Sequence, residues 1–211
     1  MGLAQTRRRG GRPTEDDKKR NDETLLNVAA ALFVERGFNG TTMEAVAQAA
    51  GLGKQALYLR YPDKESLFMG VFQRLKDDVA YQPPPVEDGL PLAAALRRRL
   101  QDILASVAGP RPMLICRLAV REGHRFPEML RLLNEETALR HTRPLARWLA
   151  HRRKLGEVRK LDAAQVAALC VDLLLSEVLR SVFRDNPLSK KEIDACADRV
   201  AAFALAGIVA Q

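Results

Sequence analysis

Apolar side chains recur every three to four residues along most of the chain, and this spacing constrains the fold more than any other feature of the sequence. The stripe that contains Leu25, Ala29 and Phe33 is the first example, and similar stripes continue to Ile208. The alternation of apolar and polar residues that indicates a half-buried strand is not sustained anywhere. The sequence therefore predicts an all-α fold of about nine helices.

The clearest interruption of this helical pattern is a proline-rich segment that begins with three prolines at 83–85. Successive prolines lack the N–H groups that a helix needs, and they stiffen a connection. A boundary is therefore predicted between a first domain at 20–82 and a second domain at 83–211. Residues 1–19 are charged and glycine-rich with little to bury, so they are predicted to form a disordered basic tail.

The helix ends are predicted from capping residues, glycine and proline. Gly37 is expected to end the first helix, and Thr41 with Glu44 forms a capping box for the second. Pro62 is expected to end the third helix, and Asp63 to cap the fourth. The predicted helices lie at about 20–36, 42–50, 53–61, 64–81, 91–108, 111–123, 126–153, 162–185 and 189–209.

The net charge of +8 and a pI near 9.7 suggest an anionic partner, because Lys and Arg gain affinity by neutralising phosphates. Residues 1–82 nevertheless carry 13 basic and 11 acidic side chains, so net charge alone does not locate a DNA site. No segment approaches the roughly 20 apolar residues of a membrane span. The three scattered cysteines are typical of buried thiols in a reducing compartment. The protein is therefore expected to be cytoplasmic and to have no membrane association.

The sequence does not indicate enzymatic chemistry. It lacks a Gly-x-Ser-x-Gly nucleophile elbow, and the segment 51–54 lacks both the upstream glycine and the Ser or Thr of a phosphate-binding loop. His124, His141 and His151 do not have the spacing of zinc ligands. The chain is predicted not to be an enzyme and to need neither a cofactor nor a metal.

Residues 41–61 carry the pattern on which the functional prediction depends. Small residues such as Ala50 occur where two short helices must cross closely, and Gly51 can adopt the left-handed conformation of a tight turn. In a helix-turn-helix, the N-terminal residues of the second helix enter the major groove of DNA. Lys54 and Gln55 are therefore predicted to reach base edges, with Lys suited to guanine and Gln to adenine.

The run from Leu25 to Phe72 resembles the N-terminal domain of TetR-type transcription regulators. The resemblance depends on short groups of residues at characteristic spacings, and it departs from the family at Gly53, where Ser or Thr is usual. The shared elements are Leu32-Phe33, Gly37-Phe38, Thr41-Thr42, Val46-Ala47, Ala50-Gly51, Leu57-Tyr58, Tyr61 and Lys64-Glu65-Ser66-Leu67-Phe68.

The resemblance implies a protein that binds double-stranded operator DNA as a homodimer. Tyr58 would offer a hydroxyl to a phosphate, and Lys64 would lie in the first turn of a helix, whose N–H groups also favour an anion. The arginines within 7–12 resemble the minor-groove arm of some members, and a merely solvated tail is the alternative. The predicted DNA-binding residues are Thr41, Thr42, Gly53, Lys54, Gln55, Tyr58, Tyr61 and Lys64.

The last two predicted helices are apolar around almost their whole circumference, so each must be covered on every side. A second copy of the chain is the simplest cover, and burial within the core of a single copy is the alternative. Asp172, Glu177 and Arg180 interrupt the apolar surface and argue against a membrane. The residues predicted for the dimer interface are Val171, Leu174, Leu175, Val178, Val182, Val200, Ala201 and Ala204.

Residues 116–130 resemble the stretch that joins two helices in a common C-terminal subgroup of the family. The resemblance implies that the helices of the second domain enclose a cavity for a small-molecule effector. Arg117 and Arg121 would favour an anionic or acyl ligand if they point inward, and solvation of both side chains is the alternative. The predicted ligand-binding residues are Phe72, Leu104, Arg117, Arg121, His141 and Trp148.

The resulting hypothesis is a ligand-responsive repressor that binds a palindromic operator. Ligand binding would move the helix that carries Lys64 and Phe72, so that the two recognition helices no longer fit successive major grooves. Two alternatives are an enzyme that uses the cavity and an architectural DNA binder without sequence preference. The nearly balanced charge of residues 1–82 argues against the architectural binder.

Overall fold

The computed structural model describes residues 15–77, 81–86 and 89–209, with side chains from residue 22 onward. A π-helical turn, Ala138–Thr142, joins two of its helices without a break, and together they form the helix predicted at 126–153. Counted in this way, the described residues form nine helices, as predicted. The individual segments are α1 (Glu15–Gly40), α2 (Met43–Ala49), α3 (Lys54–Arg60), α4 (Lys64–Asp77), α5 (Leu92–Ala108), α6 (Pro110–Glu122), α7 (Pro127–Thr137), α8 (Arg143–Lys154), α9 (Ala163–Arg184) and α10 (Lys190–Ile208).

The first helix begins earlier than predicted. A disordered tail over 1–19 is wrong for residues 15–19, which are helical, while residues 1–14 lie outside the described part of the chain. Lys, Arg and Glu are good helix formers, so a charged segment can extend a helix that apolar residues anchor further along. At the other end, Gly37 has φ 73° and ψ 176° and breaks α1 at the predicted position.

The first of two compact units ends at Val71. Its centre is an aromatic cluster, in which the Phe68 ring lies edge-on to Phe33 and Phe38 at centroid distances of 5.0 and 5.5 Å. Such edge-to-face pairs contribute about 0.5–1.5 kcal/mol each beyond the area they bury. The division falls inside α4 and not at the prolines, so the predicted domain limits remain a prediction.

The second unit begins at Phe72 and has a separate core. Within it α5 packs against α9 and α10, and α8 packs against α9. The largest fully buried side chains of this core are Leu96, Leu100, Leu104 and Trp148. Because α9 and α10 bury only one face each in this way, the opposite faces of both helices remain at the surface of the chain.

Side-chain caps fix two helix starts in the first unit. Thr42 Oγ1 accepts a hydrogen bond of 3.1 Å from a backbone N–H in the first turn of α2, so Thr42 is the N-cap of that helix. The predicted capping box of Thr41 with Glu44 is therefore wrong by one residue. Asp63 Oδ1 accepts a hydrogen bond of 2.7 Å from the backbone N–H of Ser66, which confirms Asp63 as the cap of α4.

The helices of the described ranges differ in length and apolar content from membrane-spanning helices. No single helix there is both long and apolar enough to cross a bilayer. The helices α5 and α6 have the required length and composition only when taken together, and they meet at a bend of 67°.

Candidate nucleic-acid interface and small-molecule pocket

A tight turn joins α2 to α3 in the first unit. Gly51 adopts φ 66°, in the left-handed region that favours glycine. The backbone N–H of Leu52 donates a hydrogen bond of 2.8 Å to the carbonyl oxygen of Ala47, which closes the turn. The helix-turn-helix expected from the small residues and the glycine is therefore present.

The helix α3 presents nearly all of its side chains to solvent. Only Leu57 is buried, and it attaches the helix to the rest of the unit. Gly53 is the N-cap without a side-chain hydrogen bond, and a Cβ at this position would meet no atom within 4 Å. Five of the predicted DNA-binding residues are exposed in this region, and Gly53 is one of them. The other four, at the N-cap of α2 and along α3, are called the recognition surface: Thr42, Lys54, Gln55 and Tyr58.

Two neighbours of the recognition surface were not identified from the sequence. Glu44 lies 3.4 Å from Lys54, between Oε1 and Nζ, and hydrogen bonding to its backbone together with this Lys54 contact lowers the pKa of the Glu44 carboxyl. Leu59, which lies on α3 as Lys54 does, is 88% exposed. Periodicity marks both residues as lying outside the core but cannot show that they flank the side chains predicted to bind DNA. An exposed apolar side chain here suits contact with a thymine methyl group.

Thr41 has a structural role that contradicts its predicted contact with DNA. Its side chain is fully buried, and its hydroxyl lies 3.1 Å from the carbonyl oxygen of Leu32 and 2.8 Å from that of Gly37. A threonine hydroxyl has one hydrogen to donate, and here it serves the carbonyl groups at the end of α1. Thr41 therefore holds α1 against the start of α2, and its side chain cannot reach DNA.

Tyr61 and Lys64 are engaged inside the first unit. Burial raises the pKa of the Tyr61 phenol, and the ring lies so close to Gly70 that an added Cβ would come within 2.7 Å of Cε1. The Lys64 ammonium donates a hydrogen bond of 2.9 Å to the carbonyl oxygen of Thr41 and lies 4.4 Å above the Phe38 ring. Contact between either residue and DNA stays a prediction.

The second unit contains a pocket of about 90 Å³, which we call the α6–α7 pocket. Among the six residues predicted to bind a ligand, His141 alone lines it. Its polar wall is an ion-pair cluster in which Glu136 accepts hydrogen bonds from Lys76 at 2.9 Å and from Arg140 at 2.5 Å. The complete lining is Lys76, Val107, Pro112, Ile115, Cys116, Leu133, Glu136, Thr137, Arg140, His141 and Leu175.

His141 lies in the π-helical turn and is buried. Loss of solvent, helped by the neighbouring Arg140 charge, lowers the pKa of its imidazole to about 4, so the ring is neutral at physiological pH. The Tyr81 ring packs on it with 4.7 Å between centroids. Its buried Nδ1 has no hydrogen-bond partner within the part of the chain that the structure describes.

Three apolar or aromatic residues predicted for the ligand site do not line this pocket. Phe72, Leu104 and Trp148 are each completely buried, and the latter two belong to the core of the second unit. Trp148 is covered by two guanidinium groups, Arg99 at 4.8 Å and Arg152 at 5.3 Å from its ring. A large apolar residue predicted from sequence to face a cavity can equally fill the core, and these three do.

The two arginines predicted to point into the cavity form ion pairs instead. Arg117 lies 2.6 Å from Asp185, and Arg121 lies 3.6 Å from Glu122 with half of its side chain exposed. The alternative of solvated arginines on α6 is thus closer to the structure. The cationic side chains that do line the pocket, Lys76 and Arg140, come from α4 and the π-helical turn.

The exposed apolar residues of α9 and α10 are not the ones predicted for the dimer interface. Leu175 and Val182 are partly buried against the core of the second unit, and the other predicted residues are fully buried there: Val171, Leu174, Val178, Val200, Ala201 and Ala204. The structure contradicts the assignment of these six buried residues to an interface, because they lie on the face of each helix that packs within one chain. The assignment of Leu175 and Val182 stays a prediction. Leu179 is among the apolar residues that α9 and α10 expose instead, at 42%. Four others form what we call the α9–α10 apolar face: Leu169, Leu173, Phe183 and Phe203, at 54, 41, 70 and 71% exposure.

Two surface grooves, of about 440 and 420 Å³, adjoin the α9–α10 apolar face. Leu169, Leu173 and Phe203 line both grooves. The first also contains Arg159 and the second Arg199, so the apolar residues are bordered by charge. An apolar centre with a charged margin is the usual composition of a protein–protein interface.

Two family models match the chain in succession. The model described as "Bacterial regulatory proteins, tetR family" matches residues 25–71, which include the helix-turn-helix. The model described as "AefR-like transcriptional repressor, C-terminal domain" matches residues 94–207, which is more than half of the 211 residues.

Individual relatives match over shorter segments. The HTH-type transcriptional activator FasR of Mycolicibacterium smegmatis is 35% identical over 72 residues, 34% of this chain and 32% of FasR. The HTH-type transcriptional repressor KstR2 of Rhodococcus jostii is 37% identical over 70 residues, 32% of this chain and 34% of KstR2. The matches span about a third of the length of these relatives.

A solved structure reproduces the fold over nearly the whole chain. The TetR transcriptional regulator from Agrobacterium tumefaciens superposes with a TM-score of 0.73 over 91% of this chain and 96% of that chain, at 21% identity. The two family models place the protein among transcription regulators, which are not enzymes. The chain belongs to the tetR family of bacterial regulatory proteins.

Proposed function

We propose that the protein is a cytoplasmic repressor that binds a palindromic operator as a homodimer and is released by a small molecule. The observation that carries this proposal is the recognition surface at the starts of α2 and α3. It combines an exposed cation, an amide and a phenol on a helix that a single buried leucine attaches to the unit. This is the arrangement by which a helix-turn-helix reads the major groove.

Each side chain of the recognition surface has a definite role in this proposal. Lys54 and Gln55 lie in the first turn of α3, where they reach guanine and adenine edges. Lys54 must exchange its 3.4 Å contact with Glu44 for the DNA. Tyr58 and Thr42 present hydroxyls to phosphates, which position the helix without reading sequence.

The α9–α10 apolar face supports the homodimer. Its four large apolar side chains are too exposed to contribute to the core of one chain, and a continuous apolar patch on a soluble protein commonly marks an interaction site. A two-fold contact through this face presents two copies of α3, which read half-sites one helical turn, about 34 Å, apart.

Release by a ligand rests on the continuity of α4. This single helix carries Lys64, which holds the Thr41 carbonyl in the first unit, and Lys76, which lines the α6–α7 pocket in the second. A ligand that favours one position of Lys76 therefore favours one position of the whole helix. The role as a repressor is supported by the match of residues 94–207 to the AefR-like repressor model.

A gel-shift titration against the DNA upstream of the protein's own gene tests the proposal. The wild type should give a discrete shift that survives non-specific competitor DNA. Gln55→Ala should weaken it about tenfold or more, because a bidentate contact with adenine is lost. Tyr58→Phe should weaken it about fivefold, the effect of one hydrogen bond.

Gln82→Ala is the matched control, since Gln82 is exposed and lies outside the helix-turn-helix. It should bind as the wild type does. A smeared shift that Gln55→Ala leaves unchanged would indicate binding without sequence recognition and would contradict the proposal.

A further inference from the structure

We infer that the α6–α7 pocket takes a small organic monoanion, in which a carboxylate is attached to a compact apolar body. This inference rests on the proposed function only for the consequence of binding, because the ligand class follows from the pocket itself. Three observations carry it: a pocket wall with two cations and one carboxylate, an imidazole nitrogen without a partner among the described residues, and a small, mostly apolar chamber.

The cluster at the polar wall holds one carboxylate between two cations. Glu136 accepts hydrogen bonds from both Lys76 and Arg140, and all three side chains line the pocket. Among the lining residues, with the imidazole of His141 neutral, these two cations and one carboxylate carry one net positive charge. Lys76 also lies 3.4 Å from Asp77, a carboxylate that is 57% exposed and lies outside the lining. Charges in a partly desolvated site are screened less than at the surface. A negative charge inside the pocket therefore faces two cations and one carboxylate, whereas a cationic ligand meets repulsion from Lys76 and Arg140.

His141 supplies a hydrogen-bond donor for that anion. Its side chain is only 4% exposed, and Nδ1 has no partner among the described residues. A buried imidazole nitrogen without a hydrogen-bond partner is costly, and a bound ligand can supply that partner. A neutral imidazole with its hydrogen on Nδ1 can donate to one carboxylate oxygen while Arg140 donates to the other.

The position of these two groups is set by the backbone. Arg140 and His141 are consecutive residues of the π-helical turn, Ala138–Thr142, and both line the pocket. Single π-helical turns inside longer helices often occur at functional sites, and this one contains both a cation and an imidazole of the pocket wall.

The remaining walls restrict the body of the ligand. Val107, Pro112, Ile115, Leu133 and Leu175 are all apolar. At roughly 10–15 Å³ for each water-sized group, the pocket of about 90 Å³ accommodates about six to nine such groups. Benzoate has this size and the required charge, and benzamide has the same shape without the charge. The two compounds therefore separate charge recognition from burial of a ring.

Titration calorimetry of the full-length protein without DNA tests the inference with benzoate and benzamide as probes. Benzoate should bind, and benzamide should bind at least about tenfold more weakly, the effect of losing a charge-assisted hydrogen bond. Arg140→Gln should weaken benzoate binding by a similar factor and leave the weak benzamide signal unchanged. Lys76→Met is a second variant that keeps the Glu136–Arg140 pair, and it should act in the same direction.

Arg147→Gln is the control, because Arg147 is exposed on α8 and does not line the pocket. Equal binding of benzoate and benzamide, or no heat from benzoate, would overturn the inference. A gel shift in the absence of any ligand, measured in parallel, reports on the proposed function alone. Benzoate binding without release of DNA would support the ligand class and remove the release step from the proposed function.

Discussion

His141 shows how strongly location determines what one side chain does. The same imidazole at the surface would titrate near its ordinary pKa of 6.5, but burial beside Arg140 lowers the pKa to about 4. Lys76 and Glu136 complete the charged groups of the pocket wall, and Tyr81 packs on the ring. The folded protein therefore excludes a proton that the unfolded chain binds, and this difference links folding to pH.

Stability should fall as the pH drops from about 6.5 towards 4, because unfolding then allows His141 to bind a proton. A folded-state pKa below that of the unfolded chain gives a contribution to stability that is fully present at pH values above the unfolded pKa. This contribution is lost as the pH falls through the folded-state pKa. Urea unfolding at pH 7 and pH 4.5 should show that His141→Gln reduces the acid loss by about 2–3 kcal/mol relative to the wild type. Parallel pH profiles for the two proteins would contradict this assignment.

At the scale of elements, a turn before α3 and a ring contact after it fix the geometry of the helix-turn-helix. Gly51 supplies a left-handed turn, and the Tyr61 ring that follows α3 packs where a Cβ on Gly70 would lie. The carboxyl end of α3 is thus positioned by contact with α4 within the first unit. Helix propensity and packing make opposite predictions for Gly70, which lies inside α4.

Gly70→Ala should destabilise the protein by about 1–3 kcal/mol, although alanine is the better helix former. The new Cβ would come within 2.7 Å of Tyr61 Cε1, so the ring and the end of α3 must shift. Thermal unfolding should show a lower melting temperature. The operator gel shift should show a weaker affinity for DNA. Gly109→Ala is the control, since its Cβ would meet its nearest neighbour at an ordinary 3.7 Å. Stabilisation by Gly70→Ala would show that the ring yields without cost.

Helix positions were largely predictable because they depend on local patterns. The segment predicted at 91–108 is α5, Leu92–Ala108, and that at 162–185 is α9, Ala163–Arg184. The pocket was not predictable in the same way. Lys76 and Glu136 are far apart in sequence, and no periodicity indicates that they form a hydrogen bond of 2.9 Å. Thr41 shows the same limit, since a one-residue shift of the cap exchanges a buried side chain for an exposed one.

At the scale of the whole molecule, α9 and α10 are apolar on two faces that serve different purposes. One face packs within the second unit, and the α9–α10 apolar face remains exposed. The sequence predicted that a second copy would cover these helices. A helix that is apolar all around its circumference, however, does not reveal from sequence which face packs inside the chain and which face stays exposed. Only the packing of α5 and α8 identifies which face is already covered.

Leu173→Glu and Phe203→Glu should each convert a dimer into a monomer, because each introduces a charge at the centre of an apolar contact. Sedimentation velocity measures the change, and the operator affinity should fall with it, since two half-sites no longer act together. Leu130→Glu is the matched control, because Leu130 is 44% exposed on α7, close to the 41% of Leu173. Dimers that persist in both variants would place the interface elsewhere.

The attachment of α3 through one buried side chain has a consequence for how this protein changes over generations. Leu57 is the only residue of α3 that the fold requires to be buried, and the six others are exposed. Substitutions at exposed positions usually alter stability by less than about 0.5 kcal/mol. A lineage can therefore acquire a new target sequence by drift at Lys54 or Gln55 without first accumulating compensating mutations in the core, and a laboratory library confined to these positions samples new specificities on an intact scaffold.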